Sequence, residues 1–574
     1  MGWPWRFVGL DEAEVRLRRQ TLDKYAAYAQ LSAFVPVLLF LIYRLVSRIV
    51  TALEAKKGAY NAIPESPLRK VRRQGPLGAW ESRYRHLLWW LGDDVVFLGQ
   101  TWGQRDEWVF GLAWGFWMAI LTVSGTGDDY LHLTKRAGGI AISQLPLQYL
   151  LALKSLNPVA YIFNSSHEQV NRYHRVLGRI IYALLFSHAF LYLNFFVASG
   201  LLVEKLTTSR AVITGVVGIW SMTLLNATTL RAVRNYSYRI FFIVHLTVAM
   251  IIPPLIWFHA HSSRVFLVEA LVVFLADLVT RKLDTVVAVA KLEMVPGTSL
   301  VKITAPIPKK KIHRFQTHPG SHIYLQIPAE ARASDNRASA DHLVHEFLYN
   351  PFTVADVDGE AGNLTLVARH LSGPMTTTLN QIASNSSRHD ATQVPLSIEG
   401  PYGVASHFSK LAEGEFDRVL LVSGGVGATY TVPLYRALVK DNPTAQVQLI
   451  WAVRAVGDAS WVTSGREGKS FTEDEGVQIF VTTSEDKEGA QDAAENEDED
   501  VELTTLNRGS EMRHQLTRPN LKKAVDDVFQ HGQDERVAVL FCGPTIMGRE
   551  LRNHVGVWVR KGRVVFWHSE SFGW

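Results

Sequence analysis

The chain has 574 residues, 47% of them hydrophobic and 20% charged, with a formal net charge of +5. That length calls for two or three folding units, and the balance is too apolar for an ordinary soluble enzyme and too polar for a chain lying wholly in a membrane. The single cysteine, Cys542, excludes an intramolecular disulfide and any cysteine-based zinc or iron–sulfur site within the chain.

Residues 1–30 carry Arg16, Arg18 and Arg19 with several acids and no apolar run before Leu31, so a cleaved signal peptide is not expected. From there to residue 283 the sequence predicts seven spans, at 31–50, 107–126, 137–153, 174–202, 211–230, 238–260 and 264–282, each near the ~20 residues that cross a bilayer. The third is weakened by Gln144, Pro146 and Gln148. Basic residues fall in alternate loops. Ten Lys/Arg lie in 44–85, followed by Arg172, Arg175 and Arg179, then Arg231, Arg234 and Arg239, then Arg281 and Lys282. By the positive-inside rule these loops face the cytosol, the N-terminus faces outward, and residues 284–574 are cytosolic. So placed, the charges read as topology signals and lipid headgroup contacts, not as a nucleic-acid surface.

Within the spans, one spacing repeats. His174 and His188 are 14 residues apart, as are His245 and His259. On a helix, 14 residues fall about 40° short of four turns and rise ~21 Å. Each pair therefore lies on one helix face, with one member near each side of the membrane. The two spans run in the same direction, so His174 is expected opposite His245 and His188 opposite His259. Opposed neutral imidazoles are what a six-coordinate haem iron requires, and two such sites stacked across the bilayer form an electron path. The competing reading is hydrogen-bonded histidines within the bundle, and ionisable groups inside lipid are functional by default. Pro253-Pro254 should kink the later span. His261 reads as an outer-loop residue. Arg175 and Arg179 suit either haem propionates or inner-face topology.

Residues 285–405 alternate with period two in runs such as VVAVAKLEMV, SHIYLQI and NLTLVAR, which predict short antiparallel strands closing into a barrel. Thr353, in Asn350-Pro351-Phe352-Thr353, offers a hydroxyl to a flavin ring. Arg369 and the loop from Gly373 to Thr376 offer a cation and backbone N–H groups to its pyrophosphate. From residue 418 the pattern becomes strand, glycine loop, helix, strand. Gly424, Gly425, Gly427 and Thr429 suit a phosphate at a helix N-terminus, although the third glycine of GxGxxG is absent. Arg454, at the end of the second strand, suits a 2′-phosphate and so NADPH. A last strand runs into Cys542-Gly543-Pro544. Cys542 reads either as an inert buried thiol or as a wall against the nicotinamide. Residues 485–502 are acidic, lack aromatics and predict a disordered insert.

Taken in order, the two His-x13-His pairs, NPFT, GPMT, EGPYG, SGGVGAT, WAVR, CGP and the terminal ESFGW resemble the fungal ferric-chelate reductases, relatives of the NADPH oxidases. The resemblance covers about 107–574. It implies a membrane α-helical bundle followed by a ferredoxin-reductase-like unit, an antiparallel β-barrel for FAD plus an α/β domain for NADPH. The implied divisions are 1–106 with the first span and basic loop, 107–283 for the haem bundle, 284–410 for the flavin barrel and 411–574 for the nucleotide domain. It further implies that the four histidines bind two b-type haems, that Pro351, Phe352 and Thr353 cup the flavin, that the glycine loop and Cys542-Gly543-Pro544 hold NADPH, and that Phe572 stacks on the flavin, with Trp574 as its competitor. Asn350 departs from the family, which has His before Pro-Phe-Thr.

The expected activity is transfer of electrons from NADPH through FAD and two haems to an Fe(III) chelate or Cu(II) outside, in the plasma membrane, by a monomer or a homo-oligomer. An NADPH oxidase forming superoxide differs only at the outer mouth, where short outer loops favour a bulky chelate. A transporter or channel with a regulatory domain would need intramembrane acids and inverted repeats. The last span offers only Glu269 and Asp277, and no repeat is visible.

Overall fold

The computed structural model describes residues 4–55, 76–328, 331, 349–371, 373–386, 393–403, 411, 416–463, 471, 474–482, 514–515, 517–532 and 535–570. The acidic insert 485–502, residues 56–75 of the basic stretch, and Phe572 and Trp574 lie outside the described residues. The chain divides into two compact units. One takes the described residues up to 55 and those from 87 to 283. The other takes those from 76 to 86 and from 284 to 570.

The first unit is helical: α1 Glu12–Leu31, α2 Phe34–Ala55, α3 Arg105–Val123, α4 Tyr130–Ser143, α5 Leu145–Leu150, α6 His167–Ala198, α7 Arg210–Thr228, α8 Tyr238–His259 and α9 Arg264–Asp284. Helix α1 was not anticipated. It starts with a capping box in which Asp11 and Glu14 each accept the other's backbone N–H. The Arg18–Asp129 ion pair, 3.0 Å and largely buried, ties it to the start of α4. Helices occupy every place where a span is expected. Four helical stretches, Glu12–Val50, His167–Ala198, Arg210–Thr228 and Tyr238–His259, are long and apolar enough to cross a membrane. Large apolar side chains such as Leu38, Phe116, Trp220 and Val272 stay exposed around the bundle. A water-soluble bundle would bury them, whereas lipid accepts them.

The expected third span is two helices. Gln144 closes α4 and Pro146 opens α5, where its missing N–H costs nothing. The chain then turns at Leu151, and Ala152 N–H goes to the Tyr149 carbonyl. Helix α8 runs unbroken through Pro253 and Pro254, although a proline in a helix interior removes a backbone bond.

In the second unit, six strands form a closed antiparallel barrel: β1 Val286–Met294, β2 Leu300–Pro306, β3 His322–Gln326, β4 Asn350–Asp358, β5 Asn363–Arg369 and β6 Gln393–Tyr402, in the order β1-β2-β5-β4-β3-β6. Ala290, Leu292, Ile303, Ile323, Leu325, Leu364, Leu366 and Leu396 fill it and are fully buried, as alternation along each strand requires. Helix α10, Pro374–Ser386, packs on it through Met375, Leu379 and Ala383.

A six-stranded parallel sheet follows: β7 Arg418–Gly424, β8 Gln446–Val453, β9 Val477–Val481, β10 His514–Gln515, β11 Val537–Cys542 and β12 Val565–Glu570, in the order β10-β9-β8-β7-β11-β12. The chain starts at β7, builds outward on one side through β8, and returns to build β11 and β12 on the other. The strand order reverses between β7 and β11, and ligands bind open α/β sheets at such a point, beyond the carboxyl ends of the strands. Helices α11 Ala428–Asp441, α12 Leu521–Phe529 and α13 Thr545–Arg560 complete this layer.

Candidate redox sites

Helices α6 and α8 bring the four histidines into two pairs. The rings of His174 and His245 have centroids 6.1 Å apart, and those of His188 and His259 are 6.0 Å apart. Two metal–nitrogen bonds of about 2 Å, with about 1.1 Å from nitrogen to ring centre at each end, would put opposed imidazoles about 6 Å apart on one metal. The spacing of both pairs fits a metal between them.

Three of the rings are oriented by a backbone carbonyl at Nδ1. His174 reaches the Gln148 carbonyl at 2.9 Å, His188 the Thr134 carbonyl at 2.8 Å and His259 the Ala211 carbonyl at 2.7 Å. With Nδ1–H donating there, Nε2 carries the lone pair a metal needs. Local structure makes each carbonyl reachable. Gln148 sits where the broken third span ends, so Ala152 N–H turns elsewhere and leaves its carbonyl for His174. For the other two, the residue four positions on is glycine. A Cβ on Gly138 would lie 2.7 Å from His188 Nδ1, and one on Gly215 would lie 2.6 Å from His259 Cε1. Sequence reasoning missed both glycines, and their signal is the x3-Gly spacing after each acceptor. Nδ1 of His245 is buried and has no partner among the described residues. Arg175 faces Glu107 at 3.9 Å, and Arg172 pairs with Asp106 at 2.8 Å, so acids in the first turn of α3 hold two of the three arginines of this group.

In the barrel, Pro351, Phe352 and Thr353 lie on β4 opposite Tyr324, Ile323 and His322 of β3. Thr353 is buried and the other two half-buried. His322, Tyr324 and Tyr402 form an aromatic group beside them, with centroids 5.5–6.1 Å apart, and Tyr402 donates to Glu399 Oε1 at 2.6 Å. Sequence reasoning read His322 and Tyr324 only as strand. Arg369 ends β5. Thr376 donates to the Leu371 carbonyl at 2.8 Å and accepts Leu371 N–H at 3.2 Å, so its hydroxyl shapes the loop after Arg369.

The glycine loop after β7 and the turn after β11 meet at the sheet's switch point. Ser423 and Cys542 are register partners. A Cβ on Gly427 would sit 2.1 Å from the Cys542 carbonyl oxygen, and one on Gly424 would sit 2.5 Å from Pro544 Cδ. Those two glycines are explained by close packing of the loops. Gly425 has φ +56°, a backbone that disfavours side chains, and its Cβ position is 3.6 Å from Arg369 Nη1. The arginine expected at a flavin pyrophosphate thus stands against the glycine loop after β7. The indole N–H of Trp451 donates to the Gly425 carbonyl at 2.9 Å and pins the turn, while Thr429 donates to the Val426 carbonyl at 2.9 Å. Gly543 is half-buried, and Arg454 is exposed just past β8. Cys542 is buried, and burial together with the nearby Glu570 carboxylate pushes its thiol well above the usual range, so it stays protonated. Beside it, Tyr430 lies 6.0 Å from His568, which bonds Glu570 at 3.0 Å. Sequence reasoning missed this group too.

Family models match each part of the chain. A ferric reductase like transmembrane component matches residues 137–256, an FAD-binding domain 285–406 and a ferric reductase NAD binding domain 416–556. The chain is 23% identical over 479 residues to ferric/cupric reductase transmembrane component 2 of Schizosaccharomyces pombe, covering 76% of this chain and 80% of that one. It is 24% identical over 464 residues to ferric reductase transmembrane component 1 of the same yeast, covering 73% and 76%, and 23% identical over 523 residues to a probable metalloreductase of Scheffersomyces stipitis, covering 86% and 90%. Together with the apolar bundle, the barrel and the parallel sheet, these matches define an integral membrane oxidoreductase with FAD-binding and NAD(P)-binding domains. Within that class the chain is similar to the fungal ferric/cupric reductase transmembrane components.

Proposed function

We propose that this protein is an NADPH-dependent metalloreductase of the plasma membrane. The observation that carries the reading is the pair of histidine pairs, 6.1 and 6.0 Å between ring centres, on two apolar helices of a ferric-reductase-like domain. When bound, NADPH supplies hydride, FAD turns the electron pair into single electrons, and two b-type haems carry these one at a time to an Fe(III) chelate or Cu(II) outside. His174 and His245 would hold the haem on the cytosolic side, and His188 and His259 the outer one. The carbonyls of Gln148, Thr134 and Ala211 keep three of these imidazoles in the ligating tautomer. Pro351, Phe352 and Thr353 would wall the flavin ring, and Thr353 offers it a hydroxyl. Arg369 and the Gly373–Thr376 loop would neutralise and bind the pyrophosphate. Gly424, Gly425, Gly427, Thr429, Gly543 and Pro544 shape the nicotinamide crevice, with Cys542 as its buried thiol wall. Arg454 would take the 2′-phosphate. The divisions 1–106, 107–283, 284–410 and 411–574 follow these roles.

The test is NADPH-driven Fe(III)-chelate reduction in sealed vesicles, under air and under argon, with and without superoxide dismutase. The proposal expects rates that neither argon nor the dismutase lowers. Reduction that needs oxygen and is abolished by the dismutase would make the protein an NADPH oxidase instead.

A further inference from the structure

The carbonyls that orient the histidines repeat with the spacing of the histidines. Thr134 and Gln148, which serve His188 and His174, are 14 residues apart, and 14 residues after Ala211, which serves His259, stands Leu225. Helices α7 and α8 are consecutive and run in opposite directions. Going 14 residues forward from Ala211 and 14 back from His259 therefore advances equally, ~21 Å, to Leu225 and His245. By register, the Leu225 carbonyl is the acceptor for His245. The other three histidines use theirs. Nδ1 of His245 instead stays buried without a partner among the described residues.

The residue four positions after each acceptor decides the outcome. In a helix its N–H points at that carbonyl, and its Cβ leans back over it. After Thr134 and Ala211 this residue is glycine, and a Cβ on either would overlap the ring. After Gln148 the helix breaks, and Ala152 N–H turns to the Tyr149 carbonyl at 3.0 Å. After Leu225 it is Thr229, where the helix is still regular, with Thr229 N–H on the Leu225 carbonyl at 3.1 Å. Thr229 thus carries a Cβ at the position that Gly215 leaves open to His259. Hydroxyl groups do not make the difference. Thr228 Oγ1 donates to the Leu225 carbonyl at 2.9 Å, but Thr214 Oγ1 likewise donates to the Ala211 carbonyl at 3.1 Å, and His259 still bonds it.

We propose that Thr229 is a positioning residue: its Cβ keeps His245 from the Leu225 carbonyl and so raises the reduction potential of the His174/His245 site. The inference rests on the metalloreductase reading, which puts a haem there. An imidazole whose Nδ1–H is held by a carbonyl is the more basic ligand. A more basic ligand favours ferric iron, and such hydrogen bonding is one of a protein's levers on haem potential. His188 and His259 both have the bond, whereas at the other site only His174 has it. The couple is Fe(III)/Fe(II). One electron enters, drawn from NADPH through FAD, and no bond to the protein breaks. A raised potential on the cytosolic side favours uptake of that electron from the flavin.

The test is a redox titration of the full-length holoprotein in lipid nanodiscs, followed in the haem absorption bands. Thr229→Gly removes the Cβ and opens the carbonyl, and glycine suits the end of a helix. It should lower the reduced-to-oxidised ratio of the His174/His245 site about fivefold at a fixed ambient potential, the order of one hydrogen bond. The low-spin ferric EPR signal of that site should shift, and the His188/His259 site should not move. Thr229→Ala loses the same hydroxyl, which donates to the Asn226 carbonyl at 2.7 Å, but keeps the Cβ, and should titrate as wild type. His188→Ala, expected to keep one haem, identifies which component belongs to His174 and His245. Loss of that haem in Thr229→Gly, an unmoved or raised potential there, or an equal fall in Thr229→Ala would overturn the role of Thr229 and leave the metalloreductase reading standing. The expected shift in a protein that reduces no Fe(III) chelate would support the role of Thr229 and overturn that reading instead.

Discussion

At the residue scale, two glycines carry as much of the histidine geometry as the histidines do. Gly138 and Gly215 stand four residues after the carbonyls that orient His188 and His259, and an alanine methyl at either would overlap the ring. The ring would have to leave its carbonyl, and overpacking of this kind costs about 1–3 kcal/mol. Gly138→Ala and Gly215→Ala should each lower the haem content of the His188/His259 site or shift its spectrum, while the His174/His245 site keeps its own. Low-temperature difference spectra of the purified variants check this, and wild-type spectra in both would remove the glycines from the role. Arg454 is a second single-residue claim. Its exposed guanidinium suits a 2′-phosphate that only NADPH carries, and a charge-assisted contact is worth about 1.5–3 kcal/mol. Arg454→Ala should raise the KM for NADPH at least tenfold and leave that for NADH almost unmoved. An equal rise for both nucleotides would assign Arg454 elsewhere.

At the scale of elements, the loop after β7 and the turn after β11 form one packed unit. A Cβ on Gly427 meets the backbone oxygen of Cys542 at 2.1 Å, where no side chain can yield, whereas a Cβ on Gly373 has nothing closer than Thr376 Oγ1 at 3.9 Å. Gly427→Ala should therefore destabilise by ~3 kcal/mol or more and abolish NADPH-driven reduction, while Gly373→Ala should lower the melting temperature little. Thermal unfolding followed by flavin fluorescence compares them. The resemblance also implies a role for Phe572 or Trp574, which lie outside the described residues, as an aromatic cover for the flavin. On that implied role, deleting residues 572–574 should alter the flavin absorption band and the hydride-transfer rate and leave haem content unchanged, since aromatic stacking worth about 0.5–1.5 kcal/mol beyond burial is displaceable.

What was legible in these elements followed from period and spacing. Alternation over Val286–Met294 and Asn363–Arg369 announced barrel strands, and SGGVGAT after an apolar run announced the turn at the sheet edge. The 14-residue spacing placed the histidines on shared faces. Other features depend on neighbours that no local pattern reveals. The role of Gly138 exists only because α6 lies across α4. His322 and Tyr324 read as ordinary strand residues until the register of β3 with β4 and β6 puts them beside Thr353 and Tyr402. The break at Gln144 was visible as weakness in a span, but the use made of it, a carbonyl freed for His174, was not. Helix α1 had a readable start in Asp11 and Glu14, and its polar surface concealed it from a search for apolar runs.

At the scale of the whole molecule, the proposed direction of electron flow follows the order of parts. Helix α9 begins beside His259, runs back toward the His174/His245 end of the bundle and delivers the chain to β1. The barrel thus follows in sequence directly after α9. The proposed path, in at the sheet and out past His188 and His259, would require both histidine pairs to hold iron. The most direct measurement is haem per chain in the purified protein, with its reduced-minus-oxidised spectrum. The account predicts two bis-histidine b-type haems per chain, falling to one in His188→Ala and in His259→Ala with FAD retained. A wild-type protein with one haem or none, or single variants that keep both, would contradict it.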